Sequence, residues 1–185
     1  MKVQIGLSNH HVHLSNDDFK ILFPNKEMKK VRNINQPGQF VSNLKVDIKV
    51  NDKKIESLKV LGPTRNYTQV ELMNKDCEYL NINCPVTSSG NLENAIEVII
   101  ISPYSQINRK CAIQADRHLH LTKEQQIKLN LENIEKVKLV NDNLVIDDVY
   151  LRVAENSYFE VHLDKEDGEK LNVISGDYFK IERYK

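Results

Sequence analysis

The pattern His-x-His-Leu followed by a hydroxyl residue occurs twice in this chain, at 11–15 and at 118–122. The sequence contains six histidines, and four of them lie in these two motifs. Side chains two positions apart on a β-strand point to the same face, so each motif presents two imidazoles side by side. Neutral imidazoles are common zinc ligands. The repeat therefore predicts a protein with two similar halves, each with one pair of metal ligands. The pairs are His11 with His13 and His118 with His120.

Both motifs run into a helix start signal. The hydroxyl residue that ends each motif is followed three positions later by an acid or an amide, Asp18 after Ser15 and Gln125 after Thr122. A hydroxyl N-cap with such a partner is typical of a capping box. Both copies therefore predict the same local structure, a strand that carries the histidine pair and then a capped helix. This shared structure favours an internal duplication more strongly than the shared letters do.

The rest of the chain is dominated by short strand patterns. Segments that alternate in polarity, or that are rich in β-branched residues, recur along the sequence, and turn-forming residues such as those at 37–38 and 51–52 separate them. Helix candidates are few and short. We therefore predict a mainly β chain, built as barrels or sandwiches rather than as a doubly wound sheet.

The overall charge and the apolar runs exclude two classes of partner. Lys+Arg and Asp+Glu both total 26, so the net charge is zero and no global positive field favours nucleic acid. The longest apolar stretch, around 98–101, is far shorter than the roughly 20 residues that a membrane span needs. We expect neither nucleic acid nor a membrane to be a partner.

The cysteines indicate a reducing compartment. The chain has three of them, Cys77, Cys84 and Cys111, and they form no Cys-x-x-Cys pair. Reduced thiols are the expected state, without a disulfide framework. The chain starts with a strand pattern at 3–5 instead of a charged and then apolar leader. We expect a cytoplasmic protein.

Each histidine pair needs at least one further ligand, because zinc takes three or four. On a strand over 158–163, His162 would share a face with Glu160, and metal ligation and an ordinary surface position are equally good interpretations of it. Glu71 would share a face with Gln69, although charged strand residues most often just face water. From the pattern alone, both remain open candidates.

Two further segments could contact an anion. Arg65 follows Gly62-Pro63, where we predict a tight turn, and its planar guanidinium is suited to phosphate. A surface ion pair is the alternative. The loop 85–90 could present hydroxyls and backbone N–H groups to an anion, or be an ordinary turn.

Taken together, these segments resemble the phosphate propanoyltransferase family, the PduL-type phosphotransacylases. The similarity covers essentially the whole chain, in the family's order. The most specific combination is Gly-Pro-x-Arg-x-x-Thr-Gln-Val-Glu with the two His-x-His motifs. The matching stretches are 8–15, 36–40, 62–71, 85–90, 115–122 and 160–164.

The resemblance implies a fold of two β-barrel domains with short capping helices and a dinuclear zinc site. The first domain would span 10–116 and the second 117–185, joined by the N-terminal strand 1–9. Two Zn²⁺ ions per chain are implied. Their ligands would be His11, His13 and Glu71 for one ion, and His118, His120 and His162 for the other. Arg65 would bind phosphate as the catalytic arginine, and Ser89 and Gly90 would complete the phosphate site.

The implied activity is reversible transfer of a short acyl group, propanoyl or acetyl, between coenzyme A and inorganic phosphate. The implied partners are acyl-CoA, phosphate and acyl phosphate, with coenzyme A as a substrate. A metal-dependent hydrolase and a non-catalytic zinc- or CoA-binding family member are the alternatives. Sheet-rich barrels often pair, which makes a homodimer one expectation. We expect no N-terminal extension for targeting to a microcompartment, because the first motif starts almost at once.

The chain departs from the family pattern at three places. His10 stands where the family usually has arginine before the first His-x-His motif, whereas Arg117 keeps that arginine before the second. Thr87 replaces an arginine of the loop 85–90. The residues after His162 also differ from the usual ones. The loss of two positive charges near the pocket leaves the anion affinity and the identity of the substrate open.

Overall fold

The structure is a computed structural model that describes residues 1–141 and 144–184. Short strands alternate with four short helices over these residues. The strands are β1 (Lys2–Ser8), β2 (His11–Ser15), β3 (Lys30–Asn33), β4 (Phe40–Val50), β5 (Lys53–Arg65), β6 (Gln69–Glu71), β7 (Val86–Thr87), β8 (Ile96–Ile101), β9 (Gln106–Ala115), β10 (His118–Leu121), β11 (Lys136–Val140), β12 (Val145–Val153), β13 (Glu160–Asp164) and β14 (Tyr178–Glu182). The helices are α1 (Asn16–Leu22), α2 (Asn74–Leu80), α3 (Lys123–Lys128) and α4 (Lys165–Leu171).

The chain forms two compact units, each closed by its own ring of strands. Residues 9–115 form the first unit. Its ring runs β4-β5-β2-β6-β9-β8 and returns to β4, with β3 added beside β4 and β7 beside β9. The buried core of this barrel includes Val12, Leu14 and Val60, which are fully buried. Val12 and Leu14 alternate with the histidines of the first motif, so the same strand supplies core and site.

The second unit joins residues 1–8 to the chain from Asp116 onward. Its ring runs β1-β13-β10-β12-β11-β14 and returns to β1. A separate apolar core fills it, with Ile5, Leu119 and Leu121 fully buried. Because β1 pairs with both β13 and β14, this barrel closes only with the strand from the start of the chain.

The two rings have the same strand order and the same strand directions. β2, β6, β5, β4, β8 and β9 correspond to β10, β13, β12, β11, β14 and β1. In both rings the His-x-His strand pairs parallel to one neighbour and antiparallel to the other. The helices also correspond, since α1 and α3 follow the His-x-His strands while α2 and α4 follow their antiparallel partners. This match confirms the predicted fold class, a mainly β chain of two barrels with short helices and an internal duplication.

The predicted helix starts after both motifs are confirmed, although only the second motif forms the complete capping box because the Ser15 N–H bonds to Thr68 instead. The Ser15 hydroxyl accepts a hydrogen bond from the Asp18 N–H at 3.1 Å, which caps α1. At α3 the Thr122 hydroxyl accepts from the Gln125 N–H, and the Gln125 carboxamide accepts from the Thr122 N–H at 2.8 Å. These bonds satisfy N–H groups that a helix start leaves without a backbone partner. None of the helices in the described parts of the chain has the length and apolarity that crossing a membrane requires.

The three cysteines belong to the core of the first barrel. Cys77, Cys84 and Cys111 are all free and buried. Burial raises the pKa of Cys111 to about 12, and a hydrogen bond with Cys77 together with burial also raises the pKa of Cys84. The thiolate is the form that ligates metals and attacks electrophiles. These protonated thiols therefore act as small apolar groups in the core.

Candidate metal centres and anion site

The first candidate metal centre lies on β2 and β6 of the first barrel. The strands run antiparallel, with His11 opposite Glu71 and His13 opposite Gln69. One ligand atom from each of His11, His13 and Glu71 lies within 4.8 Å of the others. His11 Nε2 is 3.3 Å from a Glu71 oxygen, and His13 Nε2 is 3.9 Å from the other. Register on one sheet face thus brings together a carboxylate and two imidazoles from separate parts of the sequence.

The second candidate metal centre lies on β10 and β13 of the second barrel. His118 is opposite His162, and the ligand atoms of His118, His120 and His162 also lie within 4.8 Å of one another. His118 Nε2 is 3.1 Å from His120 Nε2, and the three ring centroids are 4.6–5.2 Å apart. Since β10 and β13 correspond to β2 and β6, His162 occupies the position that Glu71 has in the first barrel.

The leading histidine of both motifs is held in the same way. His11 Nδ1 lies 2.8 Å from the backbone oxygen of Asn9, and His118 Nδ1 lies 2.8 Å from the backbone oxygen of Asp116. A carbonyl only accepts, so Nδ1 carries the proton and donates, which leaves the lone pair on Nε2. Proteins commonly orient a metal-binding imidazole in this way, with one ring nitrogen donating to a carbonyl while the other binds the metal.

The lowered pKa values of His13 and His118 favour the neutral form of these two candidate ligands near pH 7. Burial lowers the pKa of His13 well below its ordinary value, and the neighbouring His11 and Arg65 lower it further. Burial also lowers the pKa of His118. Burial favours neutral His11 as well, but the Glu71 carboxylate outweighs burial and raises the pKa of His11. A proton therefore competes with a metal chiefly at His11.

The candidate anion site is hydrogen-bonded to the first metal centre. Gln69, which is fully buried, donates to Glu71 at 2.6 Å and to the Ser89 hydroxyl at 2.8 Å, and accepts from the Gly90 N–H at 2.7 Å. Arg65 Nη1 donates to the Ser89 hydroxyl at 3.2 Å. The sequence-based candidates Arg65, Ser89 and Gly90 therefore meet in one cluster, and Gln69 connects that cluster to a candidate metal ligand.

The prediction of a tight turn before Arg65 is wrong. Gly62 and Pro63 lie inside β5, joined by a cis peptide bond, and Arg65 is the last residue of that strand. A Cβ on residue 62 would lie 2.4 Å from the ring of Phe40, so glycine permits a close approach of two strands here. Arg65 is positioned by the strand end, and its guanidinium lies over the Tyr67 ring at 5.7 Å.

The two residues that replace family arginines have structural partners. The His10 ring hydrogen-bonds Asp76 at 3.0 Å, so His10 is neither a simple exposed neighbour nor a member of the metal group. The Thr87 hydroxyl accepts from the Asn91 side chain at 3.0 Å within the loop. Both residues therefore make a side-chain hydrogen bond within the first unit.

Four further residues lie at the sites without having been given a role from the sequence, although Gln69 and Glu160 were placed on the strand faces of candidate ligands. Gln69 and Glu160 each lie two positions before a candidate ligand on the same strand face, so strand alternation was a usable signal for them. Arg152 and Asp116 had no such signal. Arg152 lies on β12 opposite His120, with Nη1 3.1 Å from His118 Nε2 and Nη2 3.3 Å from the Asp116 carboxylate.

Two histidine-rich triads at corresponding positions of two barrels, one of them bonded to an arginine and a serine loop, are typical of a metalloenzyme that handles an anionic substrate. Comparison with known families identifies which one: a family model described as phosphate propanoyltransferase matches residues 4–173. The chain belongs to the phosphate propanoyltransferase family, a family of acyltransferase enzymes.

Curated relatives agree over nearly the full length. The phosphate propanoyltransferase of Levilactobacillus brevis is 32% identical, covering 97% of this chain and 88% of the relative. The proteins of the same name from Thermotoga maritima and Rhodopseudomonas palustris are both 34% identical. These alignments cover 96% and 97% of this chain, and 87% and 82% of the relatives.

Proposed function

We propose that this chain catalyses the reversible reaction of a short acyl-CoA, acetyl or propanoyl, with inorganic phosphate to give an acyl phosphate and free coenzyme A. The observation that carries this proposal is the hydrogen-bonded chain from Arg65 through Ser89 and Gln69 to Glu71. It couples an anion-binding cluster to a metal-binding triad. Membership of the family supports the same reaction.

We propose one Zn²⁺ ion at each triad. The donors fit zinc, because two imidazoles with a carboxylate and three imidazoles are both sets that zinc accepts. His11 and His118 have their Nδ1 protons committed to carbonyls and direct Nε2 elsewhere. Each triad supplies three protein ligands, which is the number typical of catalytic sites that keep a position open for water or substrate. When bound, zinc supplies a Lewis acid for the thioester carbonyl and a stabilising partner for the sulfur that leaves.

We propose that Arg65, Ser89 and Gly90 bind the phosphate. Arg65 contributes a fixed positive charge and forked donors, and the Ser89 hydroxyl adds another donor. The Gly90 N–H joins them by exchanging its hydrogen bond with Gln69 for one with phosphate. Gln69 holds the loop by bonding both Ser89 and Gly90, so the loop is fixed in place before phosphate arrives. Holding the nucleophile in line with the carbonyl is the main rate advantage that these groups provide. Phosphate is already an anion near neutral pH, so no strong general base is required.

We extend the proposal to a dinuclear centre in which both ions act on one substrate. Its support is the corresponding position of the two triads in their barrels and the family membership. Substitution of both sites with Co²⁺ tests it by electron paramagnetic resonance. Magnetic coupling between the ions would support the dinuclear centre, whereas two independent spectra would contradict it.

The reaction itself is tested by measuring thiol release from acetyl-CoA and propanoyl-CoA on zinc-loaded protein, with and without phosphate. We expect thiol release only with phosphate, together with an equal amount of acyl phosphate trapped as a hydroxamate. Thiol release without phosphate would instead indicate a hydrolase. Zinc binding without any thiol release would indicate a non-catalytic family member, and either result would overturn the proposed reaction.

A further inference from the structure

Glu160 is a buried carboxylate at the second triad that the proposed function does not use. It is 3% exposed, and it lies on β13 two positions before His162. One of its oxygens is 2.8 Å from His162 Nε2. A carboxylate buried to this degree is costly unless a donor compensates it. The imidazole N–H of His162 is such a donor.

Gly6 makes the space that this carboxylate occupies. It lies on β1 directly opposite His162, and a Cβ at that position would stand 2.7 Å from the carboxyl carbon of Glu160. At the corresponding position of the first barrel, Ile113 lies opposite Glu71 and is fully buried. The second barrel therefore has a glycine where the first has an isoleucine side chain. The carboxylate of Glu160 occupies the space that this difference leaves beside His162.

Both barrels have a carboxylate on the strand that carries the third candidate ligand, but at different positions. In the first barrel the pair is Gln69 and Glu71, so the acid is itself a candidate ligand. In the second barrel the pair is Glu160 and His162. Here the acid contacts the ring of the candidate ligand and is not itself a candidate ligand. Among the described residues, Glu160 is not part of the group whose ligand atoms all lie within 4.8 Å of one another. It contacts His162 without joining the triad.

We infer that Glu160 is a positioning residue that makes His162 bind zinc through Nδ1. With Nε2–H donated to the carboxylate, the lone pair of His162 is on Nδ1. This is the reverse of His11 and His118, whose Nδ1 atoms donate to carbonyls. A carboxylate behind a ligating imidazole fixes the ring and its protonated nitrogen. The inference rests on the proposed zinc site at the second triad.

The effect on affinity has a known scale. Removal of such an outer carboxylate typically weakens metal binding about 10- to 100-fold. Glu160→Gln keeps an oxygen that can accept from Nε2–H but loses the charge, whereas Glu160→Ala loses both. We therefore expect the zinc affinity of the second triad to fall in the order wild type, Glu160→Gln, Glu160→Ala. Gly6→Ala leaves the carboxylate in the chain but displaces it, and we expect it to weaken zinc binding as well.

The decisive experiment is ¹⁵N NMR of histidine-labelled, zinc-loaded protein. The His11→Ala background leaves the second triad as the zinc site, and the signals of His162 are assigned by their loss in His162→Gln. We expect the ¹⁵N shifts to show zinc on Nδ1 of His162 and a proton on Nε2. Zinc affinity is measured in parallel by competition with a chelating dye. Glu169→Gln, an exposed acid of α4, is the matched control and should bind zinc as the background does.

The outcomes separate this inference from the proposed function. Zinc on Nε2 of His162, or unchanged affinity in folded Glu160→Ala, would overturn the positioning role while leaving the zinc site intact. No zinc at the second triad of the His11→Ala protein would overturn the proposed zinc site and this inference with it. Circular dichroism of each variant identifies loss of folding. If Glu160→Ala does not fold, the zinc affinity of Glu160→Gln, which conserves the side-chain volume, is compared with that of the wild-type residue instead.

Discussion

His10 and Asp76 lie 3.0 Å apart and form the same link in the first barrel that Arg117 and Asp167 form in the second. In both cases the residue just before a His-x-His strand binds the acid in the first turn of the helix that follows the partner strand. Arg117 does this with two hydrogen bonds, at 2.5 and 2.9 Å. The residue at this position therefore holds a helix start. The departure of His10 from the family arginine preserves that contact.

The His10 link gives a prediction for stability. His10→Ala removes one of the hydrogen-bond partners of a buried acid and leaves Asp76 with the Met73 N–H, so we expect the free energy of unfolding to fall by about 1 kcal/mol. His10→Arg restores the pairing seen at Arg117 and should recover this loss. Urea denaturation of the zinc-loaded protein measures both effects. If His10→Ala were as stable as the wild type but no longer turned over, His10 would belong to the substrate site instead.

Arg65→Ala tests the anion site. The variant should bind zinc normally, because Arg65 is not a member of either triad. Loss of a charged donor should reduce kcat/KM for phosphate about 10- to 150-fold, while the KM for acyl-CoA stays close to that of the wild type. Initial rates at varied phosphate measure the change. Arg32→Ala, at an exposed position of β3, is the control. Normal phosphate kinetics for Arg65→Ala would contradict the assigned role.

The metal content tests the ligand sets. His118→Ala and His11→Ala should each retain about half of the zinc of the wild type after dialysis, and the double variant should retain almost none. The reason is that each triad then keeps only two protein ligands, too few to hold the ion tightly. Elemental analysis against protein concentration gives the stoichiometry. Full zinc content in either single variant would refute the corresponding set.

Asp18 gives a prediction for acid stability. Its carboxylate accepts hydrogen bonds from Arg109 and Thr68, both at 2.6 Å, which tie α1 to β9 and to the loop before β6. Burial opposes ionisation of Asp18, but the hydrogen bonds from Arg109 and Thr68 outweigh it and lower the pKa of Asp18. The partly exposed arginine limits the effect, so Asp18→Asn should destabilise the fold at pH 7 by about 1–2 kcal/mol.

The sign of the pH dependence follows from this lowered pKa. The stabilisation by Asp18 is complete above the ordinary value of 3.8 and is lost as the pH falls through the lower folded-state value. The stability difference between wild type and Asp18→Asn should therefore shrink below about pH 4. Denaturation curves at stepped pH measure it. Asp17→Asn, at the exposed neighbouring position, serves as the control and should leave the curve unchanged. A constant difference at all pH values would contradict the argument.

Much of the fold could be predicted because its signals are local. Strand alternation and the capping residues at Ser15 and Thr122 depend on neighbours within a few positions, and the structure confirms both. The turn predicted at Gly62-Pro63 failed, because the need for glycine there comes from Phe40 on another strand. Local patterns cannot report such a contact.

The sequence by itself determined that two imidazole pairs would stand on strands leading into capped helices, since side-chain direction alternates along any strand. Only the tertiary structure decided what completes each pair. Antiparallel register places Glu71 opposite His11 and His162 opposite His118, although 60 and 44 positions of chain separate them. It also places Gly6, from the first strand, beside Glu160. Register depends on how the whole barrel closes and packs its core, so these partners follow from the ring of strands and not from any one segment.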